Sequence, residues 1–187
     1  DVSESRGLGD VYKRQDITRE YVTAIRLKHA NAIEKGVRQM ELSAYFTHCN
    51  LQPAHLALAL NLAMTQAYKG GNFITAASFA RRLLDLPDSS AQGKSELHNK
   101  AQTVLQKSEQ KARNEFKLNY DERNPFEINC KSLDPIYRGS QLERCSFCKS
   151  AYTNSMKGHI CSTCNIALIG IETHGLVTQP QVKGHYN

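Results

Sequence analysis

Cys145-Ser-Phe-Cys148 and Cys161-Ser-Thr-Cys164, with twelve residues between them, decide how the last third of this chain folds. Two C-x2-C knuckles on a short link bring four thiolates to the corners of a tetrahedron, the geometry Zn2+ takes in closed structural sites. With every corner filled by protein sulfur, no position is left for water or substrate. Cys145, Cys148, Cys161 and Cys164 are therefore expected to hold a structural Zn2+ that stabilises the fold and does no chemistry. His159 lies between the knuckles and is the alternative ligand if one thiolate were replaced.

Around the knuckles the texture is that of a small β unit. Asn124-Pro125, Asp134-Pro135 and Arg138-Gly139 punctuate short runs such as Phe126 to Cys130 and Leu142 to Cys145. Asn165 to Ile171 and Gly175 to Thr178 add β-branched residues. A unit this small buries little apolar surface, and a metal is a common remedy.

Upstream, from Asp16 to about Arg113, the periodicity is helical. Ile17, Tyr21 and Ile25, with Val22, Ala24 and Ala32, recur at three- and four-residue steps until Gly36. A second helix is expected from Val37 to His48. Pro53 then stands at the start of a third, where its missing N–H costs little. Leu56, Leu60, Ala63, Met64 and Ala67 form the stripe of that helix, and Gly70-Gly71 breaks it. Asn72 is placed to cap the next helix, whose packing face is Phe73, Ala76, Ala77, Ala80, Leu83 and Leu84 before Pro87. Alanines facing each other across the Gly-Gly turn predict a close helical hairpin, one unit with a partial tetratricopeptide character. A further helix from Ser95 to Arg113 carries alternating charges on its solvated side.

The expected class is α+β: a leader at 1–15, disordered and extraneous to the domain; a helical region at 16–118; a β-rich, zinc-ribbon-like region at 119–178; and a tail at 179–187. Composition is ordinary for a globular protein, 40% hydrophobic and 22% charged, with no Trp. The formal charge of +6 is spread along the chain, with none on 1–15, +3 on 16–87, +1 on 88–124 and +2 on 125–187. A nucleic-acid footprint would cluster on one segment or face. The apolar runs fall far short of the roughly 20 residues of a membrane span. Cysteines in knuckle spacing without a secretory leader point to a reducing, cytoplasmic setting, with Cys49 and Cys130 as buried free thiols.

No catalytic constellation is legible. His48-Cys49-Asn50 contains the residue types of a cysteine hydrolase, but neighbours on one helix point about 100° apart and cannot form a nucleophile–base array. His29, His55 and His98 read as packing or surface residues, and no phosphate loop or metalloprotease helix occurs. The expectation is a protein that is not an enzyme. The competing class is a nucleic-acid-binding zinc ribbon, in which Lys149, Lys157 and His159 would meet phosphates and Phe147 and Tyr152 would stack on bases.

Five strings decide between these classes: Ile17-Thr-Arg-Glu-Tyr-Val-Thr-Ala-Ile-Arg-Leu-Lys-His29, Ala44-Tyr-Phe-Thr-His-Cys-Asn-Leu-Gln-Pro-Ala-His-Leu56, Thr75-Ala-Ala-Ser-Phe-Ala-Arg-Arg-Leu-Leu84, Leu118-Asn-Tyr-Asp-Glu-Arg-Asn-Pro-Phe126 and Pro135-Ile-Tyr-Arg-Gly139. In this order they resemble the C-terminal domain of the alpha subunit of coatomer, from about residue 16 to about residue 178. The tail Gln179–Asn187 departs from that pattern.

The resemblance implies a scaffold fragment of the COPI vesicle coat, peripheral on Golgi membranes and coated vesicles and acting in retrograde Golgi-to-endoplasmic-reticulum and intra-Golgi transport. It also implies docking of the epsilon subunit, a tetratricopeptide-repeat protein, with other coatomer subunits meeting parts of the alpha chain that lie upstream. Cargo-reading propellers of the family are not represented in these residues. Within this chain Tyr120, Phe126, Ile136 and Tyr137, lying among turns, are the expected partner anchors.

Overall fold

In a computed structural model, which describes residues 2–87 and 94–171, the chain is α+β. Helices α1 (Val2–Ile33), α2 (Gly36–Phe46), α3 (Pro53–Lys69), α4 (Phe73–Leu84) and α5 (Lys94–Lys111) come first. Two small antiparallel pairs follow, β1 (Phe126–Ile128) with β2 (Pro135–Tyr137), and β3 (Leu142–Arg144) with β4 (Ala151–Thr153). Residues 172–187, with the expected run Gly175 to Thr178 and the tail, lie outside the described residues. No described helix is long and apolar enough to cross a membrane.

Small side chains build the helical core. Ala63, Met64 and Ala67 of α3 meet Ala76, Phe79, Ala80 and Leu83 of α4, and Ala101 of α5 closes the cluster. Pro53 occupies the first turn of α3, as its missing donor predicts. The Gly-Gly turn is required at both positions. Gly71 adopts φ +79°, and a Cβ on Gly70 would lie 2.4 Å from Met40 Sδ of α2.

The cap of α4 differs from expectation. Asn72 makes no side-chain cap; its buried amide pairs with the backbone of Phe116 in both directions, each bond 2.9 Å. Asn114 does the capping, its Oδ1 accepting from the N–H groups of Ile74 and Thr75. The irregular return after α5 thus supplies what a local residue was expected to supply.

Two differences concern α1. Residues 2–15, expected to be a disordered leader, continue the helix toward the N-terminus; adding turns to an existing helix is far less costly than nucleating one, and no Pro intervenes. The buried face is also not the isoleucine stripe. Thr23, Ala24, Leu27 and Asn31 are buried, whereas Ile17 is exposed and Ile25 is 65% exposed. Asn31 selects this face: its amide exchanges two hydrogen bonds with Gln66 of α3 and donates to the carbonyl of Gln39 in α2.

An aromatic seam joins helices to strands. Tyr45 of α2 is buried, donates its hydroxyl to Asn119 O at 2.6 Å, and meets the Phe126 ring edge-on at 5.8 Å. Tyr120 touches Phe79 on one side and Phe126 on the other, so it belongs to both helical clusters. Packing is continuous across the change of texture near residue 118.

Candidate metal centre

The two knuckles adopt the same local path. In each, the N–H four residues after the first cysteine donates to that cysteine's carbonyl, Lys149 to Cys145 at 3.0 Å and Asn165 to Cys161 at 2.9 Å. Those two donors have φ of +61° and +55°, the left-handed turn that wraps a knuckle. An antiparallel bridge between Ile160 and Leu168 closes the second knuckle on itself, and one between Cys145 and Ile169 brings it against the first.

All four sulfurs then lie within 4.8 Å of one another, with Cys145 to Cys164 at 3.7 Å and Cys148 to Cys161 at 3.5 Å. A tetrahedron with Zn–S bonds of about 2.3 Å has edges of about 3.8 Å, so these two pairs match it and the donor set fits Zn2+. His159 is exposed and outside the cluster. Cys145, Cys148 and Cys161 are buried and Cys164 is half-buried.

As free thiols Cys145, Cys148 and Cys161 differ. Burial raises Cys145 and pushes Cys148 up to about 12. Burial also acts upward on Cys161, but hydrogen bonds from the Tyr152 hydroxyl and from the backbone N–H groups of Cys164 and Thr163 outweigh it and bring this group down to about 6. A metal must therefore displace protons from the buried sulfurs as it binds, which couples its affinity to pH.

Side chains of α1 hold both knuckles from outside. Gln15 donates to Phe147 O at 3.0 Å and Arg19 to Cys148 O at 3.3 Å. Arg26 donates to Ser162 O at 2.7 Å and to Thr163 Oγ1 and Cys130 O at 3.3 Å each. Four thiolates around one Zn2+ carry two net negative charges, and Arg19 and Arg26 stand where that charge would fall. Spacing along the chain did not point to these contacts.

The expected partner anchors lie along the seam, partly covered by it. Ile136 is 7% exposed, and Tyr120, Phe126 and Tyr137 are half-buried in the seam. The Tyr137 hydroxyl donates to Asn119 O and accepts from Asp121 N–H.

His48-Cys49-Asn50 is no activated nucleophile. Burial raises the Cys49 thiol to about 12, and His48 is lowered to about 4 by burial among its neighbours and by the Arg82 guanidinium. His48 Nε2 pairs with the Tyr120 hydroxyl at 2.8 Å, at the seam. A histidine depressed from 6.5 to about 4 is neutral when folded and takes up a proton more readily when unfolded. Its contribution to stability is present above pH 6.5 and is lost as pH falls toward 4. Thermal melts across this window should show a falling midpoint that His48→Gln flattens; identical slopes would remove His48 from the seam's energetics.

The family model for the C-terminus of the coatomer (COPI) alpha subunit matches residues 2–183. Coatomer subunit alpha-1 of Arabidopsis thaliana is 41% identical over 181 residues, 96% of this chain and 14% of that protein. Coatomer subunit alpha of Dictyostelium discoideum is 44% identical over 172 residues, 86% of this chain and 14% of that protein. The Saccharomyces cerevisiae coatomer subunit alpha is 28% identical over 168 residues, 88% of this chain and 14% of that protein. The chain thus spans about one seventh of the length of these relatives. From the knuckles to the helices, it belongs to the family of C-terminal domains of coatomer alpha.

Proposed function

We propose that this domain is a non-catalytic docking module of the COPI vesicle coat, held rigid by Zn2+ and binding the epsilon subunit of coatomer. It would act on the cytoplasmic side of Golgi membranes in retrograde and intra-Golgi transport, peripheral to the bilayer. The observation that carries a docking role is the distribution of exposed apolar side chains. Five of the eleven large ones among the described residues, Phe147, Ile160, Ile166, Leu168 and Ile171, fall within residues 147–171. Ile160 is 64% exposed and Ile166 69%.

Apolar groups concentrated on one small unit mark a protein interface more than chance exposure. A knuckle-fixed backbone presents them at little entropic cost on association. Lys157, a candidate phosphate contact in the nucleic-acid reading, is instead paired with Glu143 at 3.3 Å. In this proposal the segment Asn119–Tyr137 fastens the ribbon to the helices, and the ribbon itself meets the partner.

Calorimetry with purified epsilon subunit tests the assignment. Paired Ile160→Ser and Ile166→Ser is expected to weaken binding by about tenfold or more with the fold intact, each being an apolar anchor. Paired Phe126→Ala and Tyr137→Ala is expected to lower stability first, because both rings pack in the seam. A folded, metal-loaded domain that shows no binding at micromolar concentrations overturns the proposal.

A further inference from the structure

Resting on the reading of the four cysteines as a metal centre, we propose that Tyr152 is a positioning residue of that centre, its hydroxyl donating a hydrogen bond to the Cys161 thiolate. Tyr152 is 0% exposed, and its oxygen lies 3.1 Å from Cys161 Sγ, from Ser162 Oγ and from Thr163 Oγ1. The proton inventory orders this cluster. A phenol has one hydrogen to give and can accept from two donors; a metal-bound thiolate can only accept. Ser162 and Thr163 each carry a hydroxyl hydrogen, and so can both donate to the phenol oxygen. The phenol hydrogen then goes to sulfur.

Thr163 is fixed in turn by Arg26, whose guanidinium donates to Thr163 Oγ1 at 3.3 Å and to Ser162 O at 2.7 Å. The chain from α1 to the metal runs guanidinium, threonine hydroxyl, phenol, sulfur. Cys148 has a different contact, its Sγ directed at Ser150 Oγ at 3.1 Å, and among the described residues no side-chain hydroxyl is hydrogen-bonded to Cys145 or Cys164. The four ligands are thus unequal, and Cys161 is the one with a phenol hydroxyl at its sulfur. Hydrogen bonds to a ligand sulfur draw charge from it, which favours the thiolate over the thiol and offsets the excess negative charge of a tetrathiolate site in a buried setting.

The test uses the whole 187-residue chain, loaded with Co2+ for spectroscopy and with Zn2+ for competition against a chromogenic chelator. Tyr152→Phe keeps the ring and removes only the donor. It is expected to weaken metal affinity by about 10–100-fold, the usual range for losing such an outer partner. The thiolate-to-cobalt charge-transfer band is expected at lower energy, because the unassisted sulfur is the better electron donor.

An unchanged band in folded Tyr152→Phe overturns the proposal, even if affinity falls, because lost packing alone would lower affinity without altering the sulfur. If that variant does not fold, 3-fluorotyrosine at position 152 keeps the shape and makes the hydroxyl a stronger donor. The band should then move to higher energy, and no movement overturns the assignment. Wild-type protein that takes up no Co2+ or Zn2+ fails at the metal reading itself, a result distinct from any of these.

Discussion

Stripping the metal with a strong chelator is expected to unfold the ribbon and leave the helical core standing. The cluster around the knuckles consists of Cys130, Cys145, Cys148, Tyr152, Cys161, Ala167 and Ile169. Four of those seven are cysteines, three of them proposed ligands, so little apolar surface remains once the metal is gone. Binding of Zn2+ to such sites supplies about 10–16 kcal/mol that is at the same time folding free energy. The core of α3, α4 and α5 contains no residue of 142–171; Tyr120, from the segment before the strands, packs against its edge. Hydrogen exchange should therefore accelerate throughout residues 142–171 on chelation, with protection retained in α3 and α4. Protein prepared without chelator should carry one equivalent of zinc. Absence of metal in such protein, with all four thiols reacting rapidly, would end the assignment.

The second large effect is expected from Leu60→Asp. Leu60 is 1% exposed in α3 and belongs to the cluster that contains Ala76 and Ala80 of α4. A carboxylate there has no cation to pair with in that cluster and would be left as an unpaired buried charge, at a cost of about 3–5 kcal/mol. Whole-domain stabilities are only about 5–15 kcal/mol. The melting temperature should drop by roughly 6–20 °C, given about 2–4 °C per kcal/mol at this size. Circular dichroism gives the readout, and a melting temperature equal to wild type would mean that α3 does not present this face to α4.

Local chemistry is legible in the sequence, and chemistry that depends on distant neighbours is not. Pro53, Gly70-Gly71 and the two knuckles each act within a few residues of themselves, and each stands where its spacing puts it. The buried side of α1 escapes periodicity because Ile17, Tyr21 and Ile25 form as regular a stripe as Ala24 and Leu27 do. The choice is made by an amide pair to Gln66, 35 residues away. Three-residue strands such as β2 and β4 are too short to show an alternation. Aromatics among turns read as available to a partner, yet Tyr120 and Phe126 are held by Tyr45, His48 and Phe79. Arg26 reaches a knuckle 136 residues downstream, a contact no local pattern encodes.

That reach has a mechanical side. Sliding the ribbon along α1 would break the bonds of Gln15, Arg19 and Arg26 together, and those made by the two guanidinium groups are worth about 1.5–3 kcal/mol apiece. Tilting it away from α2 would pull Phe126 out from beside Tyr45. Both motions thus work against contacts that tie the knuckles to α1 and the β1 strand to α2. A load on the ribbon would therefore be shared between α1 and α2 instead of falling on the link that joins ribbon to helices.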